Sequence, residues 1–278
     1  MLHLFGMRQQ ASGGALELVK MGLPANIIGI MGKNKYLPLT TAWKAATSET
    51  DTTILNALNT FEAGLIANSL TGKFNAIYPF VGGNSTKHAY NFINTATYQL
   101  TFTGGWTHAS TGALPNGTNA YANTGLLPST VLTLNDTHLS VYLRTNTNAG
   151  IDIGAAITGN ITYITARLTG NYIGNIHQST NSLVANANSQ GHYLASRTAS
   201  TTNTGYKNGS SILASTQLST IRPTVNVYLG ARNVNGTADN FSARELAMAS
   251  IGSGITAGEA STLYTLIQAM QTSLSRQV

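Results

Sequence analysis

The chain is poor in ionisable side chains. Of its 278 residues only nine are Asp or Glu and 15 are Lys or Arg, so 9% of the sequence is charged, against about 25% in an ordinary soluble domain. Such a chain has few of the acids and bases on which most enzymes depend. Thr, Asn, Ser and Gly take the place of charge and fill stretches such as 101–124 and 198–211. These residues favour turns and exposed strand faces over helices.

Two further absences narrow the class of protein. The chain has no cysteine, which excludes disulfides, thiolate metal sites and cysteine nucleophiles. Its first residues show no apolar run followed by a small-residue cleavage site, so we expect no secretory signal. The most apolar early stretch, residues 21–32, contains Pro24 and is too short for a membrane span of about 20 residues. We interpret it as a buried strand or short helix or, alternatively, as an apolar peg that anchors the chain in a larger assembly.

The basic residues are scattered along the chain. The net charge is +6, yet Lys33 and Lys35 come closest to forming a cluster, and arginines such as Arg144 and Arg167 stand alone. Nucleic-acid binding usually depends on a concentrated basic patch. We therefore predict no nucleic-acid partner.

Periodicity divides the chain into three parts. Residues 1–50 read as an attachment segment, with residues 33–50 as a connector. Residues 51–73 are predicted to contain a helix that Asp51 or Thr52 caps, with Glu62 as a solvated surface carboxylate. The helix is indicated by apolar residues at helical spacing, namely Ile54, Leu55, Leu58, Phe61, Leu65 and Ile66.

From Phe74 onward the apolar residues alternate, as Leu139, Val141 and Leu143 do, and pairs such as Asn208-Gly209 mark turns. Residues 74–278 are therefore predicted to be mainly β, an antiparallel β-sandwich. The chain closes with a C-terminal helix, which Thr256 and Glu259 begin as a capping box.

No motif in the sandwich region specifies a cofactor, a metal or catalysis. The glycines between 252 and 258 have the wrong spacing for a dinucleotide fingerprint and leave no room for a second strand. The six histidines never occur at metal-ligand spacing. We therefore predict no cofactor, no metal site and no enzyme activity. Two alternatives stay open: calcium binding by loop aspartates, and glycan cleavage by carboxylates brought together from different strands. The carboxylates concerned are Asp136, Asp152, Asp239 and Glu245.

Aromatic residues among Asn, Thr and Gly are the remaining candidates for recognition. Tyr and Trp rings stack on sugars, and amides bond to sugar hydroxyls. The plainer interpretation is that most of these rings pack in the core. The candidate ligand-binding residues are Trp106, His108, Tyr121, Tyr206 and Asn208.

Several segments resemble a recurring domain of bacteriophage virion proteins, the concanavalin A-like (laminin G-like) jelly roll. They are residues 74–83, 100–108, 115–121, 205–209, 228–231, 241–247 and 251–256, and the resemblance covers about residues 54–278. It implies a jelly-roll sandwich displayed on a virus particle as a spike, fibre or capsid decoration, often as a homo-oligomer that contacts host surface glycans. Residues 1–50 would then contact other virion proteins. The family also includes glycosidases, but their E-x-D-x-x-E strand is absent here.

Overall fold

The alternating residues from Phe74 onward form two β-sheets in the computed structural model of the protein, which describes residues 35–278. The sheets pack face to face, which confirms the predicted antiparallel sandwich with a C-terminal helix. The apolar stretch 21–32 lies outside the described residues. The strands are β1 (Phe74–Tyr78), β2 (Thr101–Thr103), β3 (Trp106–Ala109), β4 (Gly112–Pro115), β5 (Tyr121–Asn123), β6 (Thr137–Leu143), β7 (Ile153–Ile157), β8 (Asn160–Leu168), β9 (Asn171–Gln178), β10 (Leu183–Ala185), β11 (Gly191–Ala199), β12 (Thr202–Lys207), β13 (Ser210–Ser215), β14 (Tyr228–Leu229), β15 (Arg232–Val234), β16 (Thr237–Asp239) and β17 (Leu246–Gly252).

The first sheet, which we call the helix-side sheet, has the strand order β13-β12-β11-β6-β17-β4-β3, with β1 also paired to β17. The second, the outer sheet, has the order β10-β9-β8-β7-β14-β5-β2. A hairpin of β15 and β16 joins the outer sheet where β15 runs parallel to β7; the other pairings are antiparallel. The chain passes between the sheets many times, so each is built from distant parts of the sequence.

The helices are α1 (Pro38–Thr47), α2 (Thr52–Ala67), α3 (Ser85–His88), α4 (Pro128–Val131) and α5 (Ala257–Ser273). Helices α1, α2 and α5 cover the far face of the helix-side sheet, whereas Val131 of the short helix α4 packs against the core between the sheets. Asp51 caps α2 through the Thr53 amide, and the predicted capping box of α5 is confirmed. Phe61 of α2 and Leu263 of α5 share an apolar layer with Tyr142 of β6. The layers are therefore helices, helix-side sheet and outer sheet, in that order.

Strand β6 shows the consequence of this layering. Its odd-numbered residues Leu139, Val141 and Leu143 lie in the core between the sheets, as predicted, while Tyr142 faces the helices. All seven residues of β6 are buried, because a strand that is covered on both faces exposes neither set of side chains.

Helix α1 corrects the expectation of a connector over residues 33–50. It has Pro38 in its first turn but no side-chain cap from its own neighbourhood. Its cap comes instead from Glu62 of α2, whose carboxylate accepts hydrogen bonds from the Leu39 and Thr40 amides at 2.8 Å each. A carboxylate at a helix N-terminus satisfies unpaired N–H groups and complements the helix dipole. Glu62 is therefore 1% exposed and not the solvated surface residue that was predicted.

No helix within residues 35–278 combines the length and the hydropathy that crossing a membrane requires.

Candidate functional site

The outer sheet carries a row of polar and aromatic residues on the face that points away from the core. Ala122 of β5 and Leu229 of β14 lie in the core between the sheets. Because alternate residues of a strand point to opposite faces, the adjacent Asn123 and Tyr228 point away from the core. The register aligns one residue from each of six strands. In order across the sheet they are Thr101, Asn123, Tyr228, Gly154, Tyr163 and Asn175.

Only one end of this row is open to solvent. Thr101 is exposed and Asn123 half-buried, whereas Tyr163 is 4% and Asn175 0% exposed. The Arg232 guanidinium lies 5.3 Å from the centre of the Tyr163 ring. The accessible part of the face is therefore the end formed by β2, β5 and β14.

Two tyrosines form the centre of that accessible end. The rings of Tyr121 and Tyr228 stack with their centres 4.6 Å apart and their planes 19° apart. Tyr121 is half-buried and Tyr228 is 8% exposed, so Tyr121 supplies most of the accessible ring surface. Thr103 pairs with Tyr121 across the strands, and Thr101 pairs with Asn123. We call these five residues the tyrosine platform.

The tyrosine platform is neutral and rich in hydrogen-bonding groups. Within residues 35–278, neither tyrosine hydroxyl has a side-chain or main-chain hydrogen-bond partner. Burial and the nearby Tyr121 raise the pKa of Tyr228 above its ordinary value, so its hydroxyl keeps its proton at neutral pH. The platform thus offers ring faces together with free hydroxyl donors and acceptors.

Trp106 supports the platform from the edge of the sandwich. Its indole Nε1 donates to the carbonyls of Thr103 at 3.1 Å and Tyr121 at 3.3 Å. Gly230, which follows β14, has a φ of 76°, and a Cβ there would lie 2.9 Å from the indole. The indole therefore fixes the backbone of β2 and β5 beneath the platform and is held in turn by a position that requires glycine.

His108 lies next to Trp106 in a cluster of rings. Its Nδ1 is 2.9 Å from Nδ1 of His88, and its ring is 4.6 Å from Phe102 in an edge-to-face arrangement. Burial lowers the pKa of His108, and burial, together with the nearby His108 and Arg276 charges, lowers that of His88 to about 3. Both rings are therefore neutral at pH 7, and one imidazole donates its Nδ1 proton to the other.

Tyr206 and Asn208 lie apart from Trp106, His108 and Tyr121. Tyr206 is 5% exposed and packs in the layer between the helix-side sheet and the helices. Asn208 occupies the left-handed turn after β12, with a φ of 49°. Its Oδ1 accepts from the His192 amide at 2.8 Å, so its side chain serves the turn.

Asp152 is a buried carboxylate whose two oxygens are both hydrogen-bonded within the sandwich. It and Arg244 are both 0% exposed and form an ion pair at 2.8 Å. The carboxylate also accepts from the Ser242 hydroxyl at 2.8 Å and the Ala166 amide at 2.8 Å. Each carboxylate oxygen thus accepts two hydrogen bonds, which leaves neither free to bind calcium or to act as a nucleophile.

The other candidate carboxylates are also engaged. Asp239 forms a bidentate pair with Arg232 at 3.0 and 2.7 Å, and Glu245 pairs with Arg144 at 2.8 Å. Asp136 accepts from the Gly254 amide at 2.8 Å through one oxygen. Across residues 35–278, no three His, Asp or Glu side chains converge as metal ligands.

The structure thus brings together Trp106, His108 and Tyr121 and adds Tyr228, which was not among the five candidates. More than a hundred residues separate Tyr228 from Tyr121. The alternation around residue 228 indicates a strand, but nothing local indicates that this strand lies beside β5. The pairing of the two rings follows from the sheet order alone.

No protein-family model matches the chain, and no curated protein matches it in sequence. Domain 4 of AbnA, an extracellular arabinanase of Geobacillus stearothermophilus solved with arabinotriose, is 16% identical with a TM-score of 0.42, over 69% of this chain and 98% of that domain. A Trypanosoma rangeli sialidase is 11% identical with a TM-score of 0.49, over 76% of this chain and 38% of the sialidase. The binding domain of botulinum neurotoxin serotype D is 10% identical with a TM-score of 0.46, over 71% of this chain and 53% of that domain. Similarity at these levels does not identify what this chain does.

Proposed function

We propose that the protein is a glycan-binding β-sandwich that recognises its ligand through the tyrosine platform. The observation that carries the proposal is the stacked pair Tyr121 and Tyr228, whose hydroxyls have no protein partner within residues 35–278. The apolar faces of sugar rings pack on aromatic rings, and sugar hydroxyls pair with hydroxyl and amide groups. Thr101, Thr103 and Asn123 supply such groups beside the rings.

The shape of the platform favours a modest affinity. The accessible end covers three strands, which are about 4.8 Å apart, so it is about 10 Å wide. No charged side chain belongs to it, and the ligand stays largely in contact with water. Affinity from one ring face and a few exposed hydrogen bonds is weak, in the micromolar to millimolar range of Kd. Strong attachment would then require several copies bound at once.

Binding without cleavage is part of this proposal. Glycoside hydrolysis uses a carboxylic acid and a carboxylate on either side of the scissile bond. Asp152 is buried with all of its acceptor positions filled, while Asp239 and Glu245 are each held by an arginine. This commitment of the carboxylates to structural bonds supports a binding module in preference to a glycosidase.

The test is a glycan array followed by titration of the best ligand, comparing the wild type with Tyr121→Ala. We expect at least a tenfold loss of affinity in this variant, because it removes the accessible ring. Tyr264→Ala is the matched control, since Tyr264 lies on α5, on the opposite side of the molecule. Absence of any retained glycan, or equal losses in the two variants, would refute the proposal. Release of reducing ends from the bound glycan would show that the protein cleaves its ligand, and would contradict the proposal of binding without cleavage.

We further propose that the sandwich is displayed on the particle of a bacterial virus as a spike, fibre or capsid decoration. The resemblance of segments such as 74–83 and 100–108 to phage virion proteins supports this setting. Residues 1–50 would contact other virion proteins, and the tyrosine platform would contact a host surface glycan. Mass spectrometry of purified particles is the direct test, and the absence of the folded chain from them would contradict this setting.

A further inference from the structure

An ion pair lies over the closed end of the row that contains the tyrosine platform. Arg232 of β15 and Asp239 of β16 face each other across their hairpin. The guanidinium donates from Nε to Oδ1 of Asp239 at 3.0 Å and from Nη2 to Oδ2 at 2.7 Å. It also lies 5.3 Å from the centre of the Tyr163 ring, on the face of the outer sheet that points away from the core. We call Arg232 and Asp239 the hairpin pair.

The hairpin pair and the tyrosine platform share one face of the outer sheet. Tyr228 of the platform is opposite Gly154 of β7, and Gly154 is opposite Tyr163 of β8. Two strand spacings of about 4.8 Å therefore separate Tyr228 from Tyr163, a distance of about 10 Å. Because Gly154 has no side chain, β7 places no side chain between the two tyrosines in this row. The hairpin pair thus borders the platform on its β7 side.

Neighbouring side chains hold the hairpin pair in place. The Tyr163 hydroxyl donates to Asn181 at 2.5 Å, which fixes the ring beneath the guanidinium. The Asn240 amide donates to Oδ2 of Asp239 at 3.0 Å. A guanidinium that stacks on an aromatic ring and binds a carboxylate through two hydrogen bonds has little rotational freedom. Groups that are already ordered lose little entropy when a ligand binds to them.

The hairpin pair keeps hydrogen-bonding capacity that the fold does not use. Nη1 of Arg232 has no partner in the described part of the chain, and this atom is not buried. Oδ1 of Asp239 accepts only from Arg232, so one of its acceptor positions is free. A free donor beside a free acceptor matches two neighbouring sugar hydroxyls, one of which accepts while the other donates. Both hydrogen bonds involve a charged group, which makes them stronger than bonds between neutral groups.

Other ion pairs within residues 35–278 differ from the hairpin pair in exposure or in role. Asp152 and Arg244 are fully buried, and Glu259, which pairs with Lys73, belongs to the capping box of α5. Among the paired carboxylates of this part of the chain, Asp239 is the most exposed, at 37% of its side chain. An exposed ion pair contributes little to stability, so the order of the hairpin pair serves a ligand better than it serves the fold.

We propose that the hairpin pair is a second sugar subsite beside the tyrosine platform, so that the protein binds a neutral oligosaccharide. This inference rests on the proposed binding of a glycan by the platform. Tyr121 of β5 is three strand spacings, about 14 Å, from Tyr163 of β8, so one sugar ring cannot contact both sites and a longer chain can. The second contact is intramolecular once the first has formed, which raises the affinity for the longer chain. The opposite charges of Arg232 and Asp239 cancel, so the subsite favours hydroxyl groups over carboxylates.

The test is an NMR titration of the full chain with fragments, from monosaccharide to hexasaccharide, of the glycan that an array retains best. We expect the wild-type affinity to rise at least tenfold along this series. Arg232→Ala and Asp239→Ala should abolish that gain and leave the affinity for the monosaccharide unchanged. Lys73→Ala is the matched control, because Lys73 belongs to an ion pair of similar exposure beside α5, on the helix side of the molecule.

The outcomes separate this proposal from the one on which it rests. An affinity that does not depend on fragment length, or losses no larger than that of Lys73→Ala, would overturn the subsite. If Tyr121→Ala still weakened binding of every fragment in that case, the platform would stand alone. A protein for which the array retains no glycan would overturn both proposals.

A change of specificity provides a second test, because a damaged fold cannot produce it. Asp239→Asn removes the negative charge of the hairpin pair and leaves the Arg232 cation without its counter-ion. We expect the array profile of this variant to shift from neutral oligosaccharides toward glycans that carry uronic or sialic acid, with an affinity that falls as salt is added. An array profile equal to that of the wild type would show that the hairpin pair does not contact the glycan.

Discussion

The structure predicts that the protein loses stability as the pH falls below about 6.5, before its carboxylates titrate. Four histidines, His88, His138, His177 and His192, are each at most 1% exposed. Burial lowers the pKa of His138 and His177 to about 4 and that of His88 and His192 to about 3. In the unfolded chain the pKa of histidine is about 6.5. Between these values the unfolded state binds protons that the folded state does not, so stability falls as the pH falls.

The size of the effect follows from the difference in pKa. At pH 5 each histidine is about 1.5 units below its unfolded pKa and still neutral in the fold, which costs about 2 kcal/mol. Four independent sites cost on the order of 8 kcal/mol, comparable with the whole stability of a typical domain, about 5–15 kcal/mol. The pKa values of Glu49 and Glu259 are lowered in the fold, so these residues reduce stability only when the pH falls below about their ordinary pKa of 4.5. Burial raises the pKa of Glu62, which opposes the effect at a single site.

Guanidinium denaturation at pH 7.5, 6 and 5, followed by tryptophan fluorescence, measures this loss. His192→Phe is the most informative variant, because neither ring nitrogen of His192 has a hydrogen-bond partner in the described chain and the ring stacks on Tyr264. We expect the variant to be as stable as the wild type at pH 7.5 and to lose about 2 kcal/mol less on going to pH 5. A wild-type stability that stays within about 1 kcal/mol between pH 7.5 and 5 would refute the reasoning.

Four substitutions test three remaining structural assignments by the same denaturation assay. Asp152→Ala leaves Arg244 buried without its counter-ion and should cost about 3–5 kcal/mol, whereas Asp239→Ala, at a partly exposed pair, should cost under about 1 kcal/mol; equal costs would contradict the structural role of Asp152. Glu62→Gln should cost about 1–3 kcal/mol and speed proteolysis within residues 35–50, because the cap of α1 is weakened; unchanged proteolysis would argue against that cap. Gly154→Ala should cost about 1–3 kcal/mol, because the new Cβ would lie 2.2 Å from Cβ of Tyr163; an unaffected variant would show that the sheet can shift there.

The sequence predicts elements whose determinants are local. The spacing of Ile54, Leu58 and Phe61 places α2, and Thr256 and Glu259 place the start of α5, because the cap and the apolar stripe of each helix lie within the helix itself. Alternation likewise identifies β6. Each of these signals spans a few residues, so no knowledge of the tertiary fold is needed to interpret them.

Elements with distant determinants escape such an analysis. Helix α1 is capped by a carboxylate more than twenty residues further along the chain, so its own sequence resembles a connector. Tyr206 has the polar and glycine neighbours of an exposed residue, yet it packs in the layer beneath the helices. The tyrosine platform exists because β5 and β14 are adjacent. Burial and adjacency of this kind depend on strand order, which residue patterns do not encode.

The layering gives the molecule two unlike sides. Residues 35–50 enter the described chain through α1, which packs among the helices, while the tyrosine platform lies on the far surface of the outer sheet. Lys35, where the described chain begins, therefore lies on the face away from the platform. In the proposed setting, in which residues 1–50 contact other virion proteins, two sheets would separate α1 from the proposed glycan site.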